Sequence, residues 1–234
     1  MGTVIEKDRL FALPLYHGTS TYFWPSINQH GLGGFNIVAN WRLLPMLSKT
    51  IDLIKATKDQ KAEHWLRLRW PHLKLIFAQG AYDRGENWRH GDVYVTPSEN
   101  RAVRYAIRGF GSELLGVVAQ ATGFLAAIDP DEATALLADY PEAAAALSAK
   151  HRPIVLALRG VSIDRLRSEK GCDPGPTISL AENLLASSHN SPQVTFELTG
   201  VVKPHELSAR AVTVTEWAAG DPKAWTNTPV TNGH

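Results

Sequence analysis

The chain has 234 residues, of which 44% are hydrophobic and 20% charged, so it is long and apolar enough for a sizeable core and is not intrinsically disordered. Lys plus Arg number 24 and Asp plus Glu 23, and the formal net charge of +1 gives no global attraction to nucleic acid or membranes. The single cysteine, Cys172, excludes an internal disulfide and a thiolate zinc site.

The first half of the chain predicts strands that alternate with helices. The predicted elements are a strand at 13–20, a helix at 21–30, a long helix at 41–68 with a second piece at 73–78, and a strand at 91–96 followed by a helix. We expect Pro71 to end the long helix, because proline removes a backbone donor. Ser98 is a suitable N-cap for the helix after the second strand.

The second half of the chain predicts further strands around a helical stretch. The predicted elements are buried strands at 114–121 and 154–158, helices over 131–150 with a break at Pro141, strands at 194–198 and 211–216, and a loose tail after Gly220. Strands and helices do not alternate as in a parallel βαβ repeat. The sequence therefore predicts an α+β fold with a mostly antiparallel sheet.

Charge is distributed unevenly. Between Trp41 and Arg108 there are 13 Lys or Arg and 7 Asp or Glu, a local net charge of +6. The late bases of this stretch alternate with tryptophans, and together they are Arg67, Arg69, Lys74, Arg84, Arg89, Trp65, Trp70 and Trp88. This pattern is typical of a solvated helix over a tryptophan-containing core, and it also suits the binding of phosphates and nucleobases.

Several common sites and targeting signals have no sequence support. A P-loop, a Rossmann fingerprint, a GxSxG elbow and an HExxH zinc motif are all missing from the sequence, and we expect no metal. No apolar run reaches the roughly 18 residues that span a membrane. The amino terminus lacks the basic and apolar stretches of a signal peptide, so we expect a cytoplasmic protein, with leaderless secretion left open.

Three segments occur in an order that is more specific than any one of them. The first is a strand that ends in Tyr16-His17-Gly18-Thr19-Ser20. The second is the strand that carries Tyr94, followed by a helix with Tyr105 eleven positions later. The third is a strand over 193–200 that runs toward a Pro-Glu segment at 203–207. In this order the segments resemble the ADP-ribosyltransferase superfamily, in its diphtheria-toxin and poly(ADP-ribose) polymerase branch.

The resemblance covers about half of the chain and implies a split antiparallel sheet that holds NAD. It implies one catalytic domain over 1–220, with a helical insertion at about 41–90 and a flexible tail over 221–234. It also implies that NAD is the co-substrate, that nicotinamide is released, and that the acceptor is a protein or a nucleic acid. An antidote or regulatory partner would leave no trace in the sequence.

The resemblance also implies roles for individual residues. His17 would bind a ribose hydroxyl, Gly18 would offer its backbone to the nicotinamide carboxamide, and Thr19 completes that motif. Tyr94 and Tyr105 would stack on the cationic pyridinium ring, since aromatic faces attract cations. The helix position at which the family contacts the carboxamide with a hydroxyl is occupied by alanine here, and Ser98 is the residue that could substitute.

The third catalytic residue is left open between two positions. Counting back from the Pro-Glu segment places Gln193 at the family's glutamate position, which favours a mono-transferase over a polymerase. Glu197 lies four residues further on, so strand alternation places it on the same face as Gln193. A carboxylate there would stabilise the positive charge that develops on the ribose, whereas glutamine carries no charge.

Two alternatives come from the same resemblance. One is a catalytically inactive module of this fold that binds NAD, ADP-ribose or nucleic acid, which Gln193 favours. The other is an RNA 2′-phosphotransferase, a related enzyme that also uses NAD. That enzyme normally has an Arg/His-rich motif after the first helix, whereas residues 31–40 contain neither Arg nor His.

Overall fold

The computed structural model describes residues 9–80, 87–186, 194–218 and 221–230. The chain divides into two compact units. The first takes the residues up to 35, residues 92–111 and the chain from 151 onward, and the second takes 36–91 and 112–150.

The secondary structure, in chain order, is β1 (Leu15–Ser20), α1 (Trp24–His30), α2 (Ile37–Asn40), α3 (Leu43–Ala56), α4 (Gln60–Ala78), β2 (Val93–Val95), α5 (Glu99–Ile107), α6 (Glu113–Ile128), α7 (Pro130–Asp139), α8 (Pro141–Ser148), β3 (Pro153–Leu158), β4 (Leu166–Ser168), α9 (Gly175–Ala186), β5 (Phe196–Leu198), β6 (Leu207–Ala218) and β7 (Asp221–Pro229). The described strands all belong to the first unit, and the second unit is helical.

The first unit contains two antiparallel sheets. One has the strand order β1-β3-β6-β7 and the other the order β2-β5-β4. They are linked by one isolated bridge, in which the N–H groups of Tyr16 and Thr96 each donate to the other residue's carbonyl, at 2.7 and 3.0 Å. Helices and antiparallel sheets thus share one chain, as the predicted α+β class requires.

Helix α5 packs against β1 at a position that only glycine can occupy. A Cβ atom built on Gly18 would lie 2.0 Å from the Ala102 carbonyl oxygen and 2.8 Å from the Ala106 nitrogen, both in α5. Ala102 and Ala106 are themselves buried, and they form a cluster with Val155 of β3. Small residues on both elements therefore bring the helix backbone into direct contact with the strand.

The second unit is held by apolar faces on its longer helices. Helix α3 buries six side chains at helical spacing, which are Leu43, Met46, Leu47, Thr50, Ile51 and Ile54. Helix α6 buries a matching set, which is Leu114, Leu115, Val118, Ala121, Thr122 and Leu125. The surface of this unit carries charge pairs, such as Lys49 with Asp139.

The predicted strand at 114–121 is wrong, because these residues lie inside helix α6. A continuous apolar run is compatible with a buried strand or a buried helix, and only its length and its caps separate the two. Here Ser112 caps the helix, since its hydroxyl accepts a hydrogen bond from the Leu115 N–H at 3.4 Å. The spacing of the buried residues is then that of one helix face.

The predicted break at Pro71 is also wrong. Helix α4 continues through Pro71, which is exposed, and the long helical stretch is divided instead between Ala56 and Gln60. Lys58 has a left-handed φ of 52° there, and the Asp59 carboxylate accepts a bond from the Lys61 N–H and starts the new helix. Beyond Pro71 the helix is held by the buried Leu73 and Ile76, because tertiary packing supplies most of the stability of a helix in a protein.

The predicted flexible tail over 221–234 is wrong for the part that the structure describes. Asp221–Pro229 forms β7, which pairs along the whole of its length with β6. Its polar residues suit an edge strand, which needs hydrogen bonds on one side only, and its Trp225 packs against the cluster under α5. The remaining predicted strands and the helices over 21–30 and 131–150 are confirmed, with the last broken before Pro141.

Replacing Gly18 by alanine tests the contact between β1 and α5. We expect Gly18→Ala to lower the free energy of unfolding by about 1–3 kcal/mol, toward the upper end because backbone atoms cannot move aside easily. Gly123→Ala in α6 is the control, because a Cβ there meets nothing within 4 Å and should stabilise the helix by about 0.5–1 kcal/mol. Urea denaturation measures both, and an unchanged stability of Gly18→Ala would contradict the packing.

Candidate functional site

The candidate site begins where strands β1 and β2 stop pairing. The two strands share only the Tyr16–Thr96 bridge. On the opposite side of β1 the Thr21 N–H donates to the Arg152 carbonyl, so odd-numbered residues of β1 bond toward β3. The N–H and C=O groups of Gly18 therefore point away from β3 and toward the gap that opens beside β2.

A histidine side chain crosses this gap. The Nδ1 atom of His17 lies 2.9 Å from the backbone carbonyl oxygen of Tyr94, the position at which a continuing ladder would pair β2 with Gly18. A carbonyl oxygen only accepts, so the proton is on Nδ1. In the neutral ring the other nitrogen, Nε2, then carries a lone pair.

Burial keeps this ring neutral. Desolvation lowers the pKa of His17 below 6.5, and the hydrogen bond to Tyr94 opposes that shift only in part. At neutral pH the imidazole is therefore a donor at Nδ1 and an acceptor at Nε2. Such a ring can hold β1 to β2 with one nitrogen and receive a hydroxyl group with the other.

The second sheet carries a polar row across its middle. Tyr94 of β2, Glu197 of β5 and Arg167 of β4 lie directly opposite one another. Thr96 and Tyr94 direct their backbone groups toward β1, so Tyr94 and Glu197 form a non-hydrogen-bonded pair, in which side chains approach most closely. Glu197 is only 9% exposed, which is unusual for a carboxylate.

The opposite face of the same sheet is apolar except for one serine. Its members are Val93, Val95, Phe196, Leu198, Leu166 and Ser168, by their register in the three strands. Phe196 packs edge-to-face on Phe11 with ring centroids 5.5 Å apart. One face of the sheet thus belongs to the core, and this leaves the Tyr94–Glu197–Arg167 row on the other face.

A second carboxylate, that of Glu169, lies close to the start of β5. Glu169 follows β4 directly, and one of its oxygens is 4.0 Å from the Arg101 guanidinium of α5. Burial raises the pKa of Glu169, while the Thr195 hydroxyl and Arg101 oppose the shift. Arg101 also lies over the Tyr105 ring, 5.8 Å from its centroid. Glu169 and Arg101 could not be found from the sequence, since neither belongs to a motif and only the fold brings them together.

The other predicted site residues differ in their burial and bonding. Ser98 is buried and caps α5 through a bond from the Arg101 N–H, and Thr19 is buried with its hydroxyl directed at the Gly111 carbonyl. Tyr105 is 49% exposed on α5. Gln193 lies outside the described residues. The fold therefore brings His17, Gly18, Tyr94 and Glu197 to one region and gives Ser98 and Thr19 bonds of their own.

A surface cleft of about 760 Å³ lies between β4 and α9. Its lining includes Arg9, Asp164, Arg167, Cys172 and Glu182. Arg9 and Asp164 form an exposed salt bridge at 2.8 Å, so part of the lining is already paired. Arg167 of β4 belongs both to this cleft and to the row that contains Glu197. The cleft is therefore one strand away from Glu197 of β5.

The comparisons with known proteins give no relative. No family model, no curated protein and no solved structure matches the chain. Across the described ranges, no helix has both the length and the apolar character needed to cross a membrane. Function is therefore inferred from the arrangement of side chains around Tyr94.

Two substitutions of His17 separate its two nitrogens. The side-chain amide nitrogen of asparagine lies as many bonds from Cα as Nδ1 does, so His17→Asn can keep the bond to the Tyr94 carbonyl. We expect His17→Ala to lower the free energy of unfolding by about 1–3 kcal/mol, because the bond to that carbonyl is lost. His17→Asn should lose clearly less in the same urea titration, and an equal loss in both variants would show that the bond does not hold the strands.

Proposed function

We propose that this chain is an NAD-dependent mono-ADP-ribosyltransferase, which transfers ADP-ribose to a macromolecular acceptor and releases nicotinamide. The observation that carries the proposal is the His17 bridge to Tyr94, with the Gly18 backbone beside it and Glu197 directly opposite Tyr94. Two antiparallel sheets linked by one bridge are also compatible with the split sheet that the sequence resemblance implies. NAD would supply an ADP-ribosyl group joined to a cationic nicotinamide, which is a good leaving group.

The Gly18 backbone matches the nicotinamide end of NAD. A carboxamide has one oxygen acceptor and two N–H donors. A backbone N–H and C=O that leave the same side of a strand offer the complementary pair. Gly18 turns both groups toward the gap. The absence of a side chain at this position is explained by α5, whose backbone occupies the space that a Cβ atom would need.

The two rings of the site have separate tasks in the proposal. His17 accepts a hydrogen bond from a ribose hydroxyl at Nε2, and its neutral state at neutral pH supports that role. Tyr94 supplies an aromatic ring, whose hydroxyl lies 3.4 Å from the Asp92 carboxylate and whose face would favour a cationic ring. Tyr105 is exposed on α5 and would offer the face of its ring that Arg101 does not cover.

Glu197 is the third catalytic residue of the proposal. Its carboxylate lies in the same row as Tyr94, in a buried position where a charge acts more strongly than in water. It would stabilise the positive charge that develops on the ribose and would orient the incoming nucleophile. The assignment of mono-transfer rests on the resemblance at Gln193 and stays a prediction.

The test is nicotinamide release from NAD by the full chain, with and without cell extracts that supply candidate acceptors. We expect Glu197→Gln, which keeps the size but removes the charge, to slow release by about 100-fold or more. Glu216→Gln is its control, because Glu216 is an exposed carboxylate on β6 that pairs with Lys223. His17→Asn should raise the NAD dissociation constant while leaving the fold in place.

Binding of NAD by calorimetry completes this test. Saturable binding without release, in every acceptor mixture, would contradict transfer and favour the inactive module. No saturable binding and no release would contradict the NAD site itself. Equal release by Glu197→Gln and Glu216→Gln would remove Glu197 from the mechanism.

A further inference from the structure

Helix α4 exposes more large side chains than its packing requires. Only Ala62, Leu73 and Ile76 are buried in its 19 residues. Leu68 is 64%, Trp70 37% and Phe77 36% exposed. An isolated exposed apolar residue such as Leu68, which lies on another side of the helix, is ordinary. Trp70 and Phe77 are seven residues apart and share one side, and such a pair indicates a surface with a partner.

Four of the exposed residues form one ridge, which we call the α4 ridge. Arg67, Trp70, Lys74 and Phe77 follow one another at intervals of three or four residues, so they lie on one side of the helix. Basic and aromatic side chains alternate along this line. At 1.5 Å per residue the ridge is about 15 Å long, which is room for about four nucleotides stacked at 3.4 Å.

The ridge is electropositive. Helix α4 contains Lys61, Arg67, Arg69 and Lys74 against the single acid Glu63, a net charge of +3. Lys55 of α3 and Lys74 both lie near the Trp70 ring, at 5.3 and 5.9 Å from its centroid. Within the described ranges no carboxylate forms a salt bridge with Arg67, Arg69 or Lys74.

We propose that the α4 ridge binds single-stranded nucleic acid. Its basic side chains carry the charge opposite to that of the phosphates, and Trp70 and Phe77 offer faces on which unpaired nucleobases can stack. A duplex would leave both aromatic rings without a stacking partner. This inference does not depend on the proposed transferase activity, because it uses no residue of the candidate site.

The test is the fluorescence anisotropy of a labelled 12-nucleotide single strand, as RNA and as DNA, titrated with the full chain over a series of salt concentrations. We expect saturable binding that weakens with salt. Trp70→Ala should weaken it by about 5- to 150-fold, the loss of one stacked base. Lys74→Gln should reduce the logarithmic salt slope by about 0.7, the value of one phosphate contact.

Matched variants separate this surface from general effects. Trp217→Ala removes a tryptophan that is 56% exposed on β6, and Arg159→Gln removes an exposed base after β3, so neither should change binding. Trp70→Phe keeps an aromatic face and should retain most of the affinity. Circular dichroism confirms that each variant is folded.

Three results would overturn the proposal. The first is no saturable binding of either strand at about 50 mM salt. The second is equal affinity of Trp70→Ala and Trp217→Ala. The third is tighter binding of the matching duplex, of polyglutamate or of anionic vesicles than of the single strand, since each would assign the ridge to another class of partner.

Discussion

The side chain of His17 takes over from a backbone hydrogen bond at the point where strands β1 and β2 part. Beyond the Tyr16–Thr96 bridge the imidazole Nδ1 lies 2.9 Å from the Tyr94 carbonyl oxygen, where the next backbone bond of a continuing ladder would form. Because Nδ1 is committed to that bond, Nε2 is the nitrogen left for a ligand. This hydrogen bond thus adds to the two of the Tyr16–Thr96 bridge in holding the sheets together, and it decides the chemistry that His17 can perform.

The position of Gly18 depends on a different constraint. The glycine is required by the α5 backbone, which would collide with a side chain at this position. The close contact in turn fixes α5 beside the gap, and α5 carries the half-buried Arg101 and the exposed Tyr105. Gly18, which its motif assigns to ligand binding, therefore has a packing role as well. A substitution of Gly18 would change both ligand binding and the packing of α5.

Most of the strands could be predicted from the sequence, because their alternation and their turn residues act locally. The errors have a local cause in one case and a tertiary cause in the other. The run at 114–121 becomes a helix through its cap at Ser112, and 221–229 becomes a strand only because β6 offers it a partner. In the site, His17 and Tyr94 could be proposed from their motifs, whereas Glu169 and Arg101 come together only through the fold. The register of β5, which sets Glu197 opposite Tyr94, required the sheet itself.

Binding of nicotinamide in the gap beside β1 is tested most directly by NMR on the isotope-labelled chain. The measurement follows the backbone amide resonance of Gly18 during a titration with nicotinamide. The account predicts that the Gly18 amide and the His17 ring shift saturably and together, and that His17→Asn keeps the Gly18 response to nicotinamide. The account would be contradicted if the Gly18 amide did not move at saturating nicotinamide. It would also be contradicted if the shifts were confined to the cleft between β4 and α9.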